Sequence, residues 1–141
     1  MRFSLTDEQQ AIRDAIFKLL DHGGPLGDAY WLERDRDGGF PHEFFDAIAA
    51  AGWLGIAMPE AYGGAGLGIT DAAVLMQAIA ESGAGMAGAS AVHLNIFGLN
   101  PVVVFGTDEQ KQRWLPPMIR GEVKACFAVT AAPVSATKRC S

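Results

Sequence analysis

Gly121-Glu122-Val123-Lys124-Ala125-Cys126-Phe127-Ala128-Val129-Thr130 is where the chain changes its period. From Val123 onward Val123, Ala125, Phe127 and Val129 fall on one face, with Lys124, Cys126, Ala128 and Thr130 on the other. Period two belongs to a strand, whereas the chain before Gly121 repeats at helical spacing. One strand cannot stand alone in water. The fold class expected is therefore mainly α: a helical domain over residues 1–122, followed by the first strand, 123–130, of a β-domain whose other strands are missing.

Working back from that stretch, Thr107 and Gln110 form a T-x-x-Q capping box with Asp108 and Glu109 between them. The hydroxyl takes a backbone N–H at the helix start, and the amide reaches back to the cap. Acids in the first turn also suit the positive end of the helix dipole. Trp114, Leu115 and Met118 or Ile119 are expected to anchor this helix, and Pro116-Pro117 must interrupt its hydrogen bonding. Thr6 and Gln9 repeat the box at the front of the chain, ahead of Ile12, Ile16, Leu19 and Leu20 on one stripe. Gly23-Gly24-Pro25 ends that helix.

In residues 26–40, Tyr30, Trp31 and Leu32 could form a short helical turn, but the alternating charges over Glu33–Asp37 make a solvated linker the expectation. A second helix is expected from Pro41 to Gly52, burying Phe44, Phe45 and Ile48. A third is expected to be capped by Thr70-Asp71, with Val74, Leu75, Ala78 and Ile79 inside. Ser82 to Gly88 is small and loose, and a fourth helix covers Ala89 to Phe105, kinked or entered near Pro101. The connection from Trp53 to Ile69 is longer than most loops inside a compact domain, a length common where loops are functional.

Composition narrows the function classes. The 141 residues are 50% hydrophobic and 19% charged, enough apolar material for a core. The net charge of −5 has no clustered basic face, so nucleic acid is not an expected partner. Val92 to Phe105, the longest apolar candidate, is interrupted by His93, Asn95, Gly98, Asn100 and Pro101 and falls short of the ~20 residues of a span. The N-terminus lacks signal-peptide and transit-peptide features, so the expected location is cytoplasmic. Cys126 and Cys140 are expected to be reduced thiols there. His22, His42 and His93 are isolated, and no cysteine spacing suits a metal.

Motifs for chemistry are sparse. Gly63-Gly64-Ala65-Gly66-Leu67-Gly68 misses the dinucleotide fingerprint: counting from Gly64, the third glycine should fall where Ile69 stands. A glycine-permitted turn accounts for it better. Ser90 and His93 are three apart on an expected helix and could touch. Asp71, Glu81 and Glu60 could act as bases, but each is explained more simply as a cap, a helix face or a loop residue.

Four stretches, taken in order, resemble the acyl-CoA dehydrogenase family over about residues 3–130. They are Leu5-Thr6-Asp7-Glu8-Gln9; Gly52-Trp53-Leu54-Gly55-Ile56 with Pro59-Glu60-Ala61-Tyr62-Gly63-Gly64-Ala65-Gly66; Gly106-Thr107-Asp108-Glu109-Gln110-Lys111 through Trp114-Leu115-Pro116 to Gly121-Glu122; and Ala125-Cys126-Phe127-Ala128-Val129-Thr130. The resemblance implies a helical N-terminal domain, a middle β-domain and a C-terminal four-helix domain. It also implies FAD, an acyl-CoA substrate, an electron-transfer flavoprotein as acceptor, and a homo-oligomer. Phe127, Val129 and Thr130 match flavin-contacting positions; a hydroxyl and strand N–H groups suit the polar edge of the isoalloxazine ring. His93 to Asn100 matches the helix lining the acyl pocket, where Phe97 would limit its depth or serve as ordinary core.

The match fails after Thr130. Where the family continues Glu-Pro and then Gly-Ser-Asp, this chain reads Ala131-Ala132-Pro133-Val134-Ser135 and onward to Ser141. Residues 131–141 are expected to be a divergent, disordered tail from a shifted reading frame. The family's catalytic glutamate has no counterpart, so no catalytic residue is assigned here. Two functions are expected to compete: the inactive front portion of an acyl-CoA dehydrogenase, or a non-catalytic helical module docking on homologous subunits.

Overall fold

The computed structural model describes residues 4–126. It is helical throughout, with seven α-helices and two 3-10 turns among those residues. In order these are α1 (Asp7–Leu19), α2 (Asp28–Asp37), α3 (His42–Ala50), the turns Trp53–Gly55 and Glu60–Tyr62, α4 (Ile69–Glu81), α5 (Gly85–Phe97), α6 (Asn100–Phe105) and α7 (Asp108–Ile119).

Both expected capping boxes form. Gln9 N–H donates to the Thr6 hydroxyl at 3.2 Å while the Gln9 side-chain oxygen takes Thr6 N–H. Thr107 and Gln110 repeat the arrangement at α7. Helix α4 packs between α1 and α5, with Ala72 and Ala78 buried so that backbones approach closely. Ile12, Ile16, Phe45, Ile48, Leu75 and Ile79 fill the core between the helices. A smaller cluster of Met58, Leu115 and Ile119 seats α7 against the two 3-10 turns.

Four expectations need correction. Residues 26–40 are not a linker, because α2 occupies most of them, flanked by Gly27 and by Gly38 in the left-handed conformation (φ 66°). Only Trp31 is buried along α2. Its ring meets Phe44 edge-on at 5.0 Å and its indole N–H donates to the Leu26 carbonyl at 2.9 Å. One large side chain thus docks a helix whose other faces are solvated, which periodicity does not reveal.

Helix α4 is capped by Gly68, not by Thr70-Asp71. Asp71 stands three residues in, taking Gly68 N–H at 2.9 Å and also the Gln9 amide at 3.0 Å, which ties α4 to the start of α1. The expected helix over Ala89 to Phe105 is two helices. Helix α5 begins four residues earlier, at Gly85, and stops at Phe97. After Gly98-Leu99, α6 begins with Pro101 in its first turn, where a missing N–H costs nothing. Pro116 and Pro117 lie within α7 without ending it. The ladder loses two donors, but the acceptors opposite belong to exposed Gln112 and Arg113, and buried Leu115, Met118 and Ile119 hold the helix in place.

The stretch Gly85–Phe105 spans 21 residues with mean hydropathy 1.4, which by length and composition alone matches a membrane span. The shorter window from Val92 had missed this. The run breaks at Gly98-Leu99, and 28% of it is buried, with Val92 and Ile96 in the domain core. No strand forms among the described residues. The expected strand contributes only 123–126 to them, and those four residues are irregular.

Candidate functional site

The glycine segment decides one question about cofactors. Gly63 N–H donates to Glu60 O, Gly64 to Pro59 O, Ala65 to Gly55 O, Gly66 to Met58 O and Leu67 to Ile56 O. Gly68 N–H goes to Asp71. Six consecutive donors are spent inside the protein, so none is left to cradle a phosphate. The segment folds back onto the two 3-10 turns and serves as packing. A β-carbon on Gly64 would lie 2.1 Å from the Met58 carbonyl oxygen, which is why glycine stands there.

The other candidates resolve the same way. His93 Nδ1 meets the backbone carbonyl of Ser90 at 2.9 Å, so its contact is not a serine–histidine dyad. The Gln9 amide, then Gly68 N–H, hold the Asp71 carboxyl below its ordinary range. The Arg13 guanidinium, 2.5 Å away, does the same for Glu81, with Gln77 assisting. A general base for carbon acids needs a pKa raised towards neutrality; these two are shifted the opposite way. His22 pairs with Asp28 at 2.9 Å, and that hydrogen bond raises its pKa. Among the described residues no group of three or more histidine, cysteine or acidic side chains could hold a metal.

Phe97 is half-buried and does two things at once. It packs against the main core, and it lines a cavity of about 170 Å³ with Met58, Ile69, Ile96, Asn100 and Val103. This cavity lies where α5 breaks into α6. Phe127, Val129 and Thr130 lie outside the described residues, as does Cys140. Cys126, just before them, is an exposed free thiol.

The approach to Phe127 is fixed in place, by contacts that motif reasoning missed. Asn95, 2% exposed in α5, donates its amide to the Val123 carbonyl at 2.9 Å and to Met118 O at 3.3 Å. Its oxygen accepts Ala125 N–H at 3.2 Å. The Lys124 ammonium sits over the rings of Phe40 and Phe45 at 4.8 and 4.6 Å. The only available signal was an asparagine between Val92 and Ile96 on a buried stripe. A larger cleft of about 720 Å³, lined by Asp28, Trp31, Arg34, Asp35, Gly83 and Met86 among others, shares no residue with the Phe97 cavity.

Residues 6–122 match the family described as acyl-CoA dehydrogenase, N-terminal domain. The acyl-CoA dehydrogenase FadE12 of Mycobacterium tuberculosis is 32% identical over 132 residues, covering 91% of this chain and 32% of its own length. Mitochondrial isovaleryl-CoA dehydrogenase of Pongo abelii is 31% identical over 129 residues, covering 89% and 29%. A solved chain described as the electron transferring flavoprotein of Acidaminococcus fermentans superposes with a TM-score of 0.75 at 30% identity, covering 86% of this chain and 31% of that one. The chain thus spans about a third of the length of the proteins it matches.

Proposed function

The chain belongs to the acyl-CoA dehydrogenase family, matching its N-terminal domain over residues 6–122, and on that premise we propose that it is the front portion of an FAD-dependent enzyme acting on the α,β-carbons of an acyl-CoA thioester, without turnover of its own. In such a reaction the α-proton leaves to a base and the β-hydrogen leaves as hydride, forming the C=C bond. FAD supplies the hydride acceptor when bound. The glycine segment offers no cradle for its pyrophosphate, since each N–H from Gly63 to Gly68 is spent internally. What this chain contributes is a wall: Phe97 and the apolar cavity around it, placed to meet an acyl tail, and the docked approach to Phe127, Val129 and Thr130 at the flavin edge.

One observation carries the claim of inactivity. Hydrogen bonds hold the Asp71 and Glu81 carboxyls below the ordinary carboxylate range, which makes both weak bases for a carbon acid. Val104 and Phe105, the latter 85% exposed, are taken as contact surface for the remaining domains of an intact subunit. Electron-transfer flavoprotein as acceptor, a homo-oligomeric intact enzyme and a cytoplasmic location complete the proposal.

The test is turnover. The purified chain, given FAD, a straight or branched short-chain acyl-CoA and a reducible dye, is expected to show no dye reduction above a protein-free control. Reduction proportional to protein concentration would overturn the claim of inactivity.

A further inference from the structure

A buried asparagine in an apolar helix face is costly unless its amide is satisfied, and an isosteric leucine would avoid that cost. Asn95 lies between Val92 and Ile96, and its side chain makes three bonds to backbone groups of residues 118–125, with a longer contact to the Met118 sulfur. Two of those partners, Val123 C=O and Ala125 N–H, are alternate residues of one segment, and in an extended chain such groups point to the same side. An amide presenting N–H and C=O to them reproduces one bridge of a parallel ladder, in which a single group bonds the residues on either side of its neighbour.

We propose that Asn95 is a positioning residue: its side chain stands in for a neighbouring strand and fixes where the chain leaves the helical domain, and so where Phe127–Thr130 begins. The link to the flavin edge rests on the function proposed above. Lys124, the residue between the two bonded groups, adds a second anchor on another element, its ammonium lying over Phe40 and Phe45. Asn95 also takes the Met118 carbonyl near the end of α7. A single side chain thereby couples α5, the end of α7 and the departing chain. Such a fully satisfied polar group adds specificity of geometry that an apolar substitute cannot.

The experiment is residue-resolved amide hydrogen exchange on the full chain, without flavin, for the native protein and Asn95→Leu. Ala125 N–H is expected to be protected in the native chain. In the variant its protection is expected to fall about tenfold, the equivalent of roughly one net hydrogen bond. Leu75 and Ile79 amides, in the core of α4, are expected to keep theirs. A purely structural asparagine would lower protection everywhere together, and that result overturns the proposal. Exchange of Ala125 at the free-peptide rate in the native chain overturns it too, even if Asn95→Leu fails to fold. Because no flavin is present, failure of the flavin assignment leaves the Ala125 result unchanged, and the two failures are distinguishable.

Discussion

Phe44→Ala is expected to lower the free energy of unfolding by about 4 kcal/mol, in the range for a fully buried phenylalanine. Phe44 has no exposed surface, and its ring receives Trp31 edge-on at 5.0 Å. The loss has two parts. Apolar surface is no longer buried, and the packed core closes only partly around the gap. The gap also falls under α2, whose one buried residue is Trp31. Amide exchange along α2 is therefore expected to rise more than in α1 or α4. Denaturant unfolding of native chain and variant gives the total, and a difference below about 1 kcal/mol would mean that Trp31 does not dock α2 on α3.

Gly64→Ala is expected to cost about 3 kcal/mol, the upper end of ordinary overpacking. The added carbon would sit 2.1 Å from Met58 O and 2.5 Å from its carbonyl carbon, both backbone atoms that no rotamer change can move away. Met58 O already accepts Gly66 N–H at 2.8 Å, so the clash also breaks the bond that closes the segment. Neighbouring Gly63 is the control. Its φ of 91° disfavours alanine, but nothing lies within 4 Å of the new carbon, so Gly63→Ala should cost only about 1 kcal/mol. Equal losses for both variants would refute the packed-turn account of the glycine segment and reopen a ligand role for its backbone.

These two sites mark what was legible beforehand. Capping boxes at Thr6 and Thr107 were readable because every participant lies within four residues. The stripe of Val74, Leu75, Ala78 and Ile79 was readable because burial on one face imposes the helical period. Helix α2 was not, since a single tryptophan replaces a stripe and charged residues fill the rest of its surface. The break between α5 and α6 was misplaced because Pro101, the visible signal, begins α6 while the interruption lies at Gly98-Leu99. Asn95 was invisible for a different reason: its partners are 23 to 30 residues away, and no local pattern encodes such a contact. Within the candidate site, Phe97 was named by resemblance, and it lines a small cavity between α5 and α6. The glycine segment was correctly discounted on spacing, but the reason it needs glycine, its approach to Met58, is a tertiary fact.

In the proposed function, this chain is a wall of a dehydrogenase site and not the whole of one. The most direct test is the visible spectrum of the purified chain after incubation with excess FAD and removal of the unbound cofactor. A colourless protein is the predicted result. A yellow protein whose flavin bands bleach on adding an acyl-CoA under anaerobic conditions would contradict it.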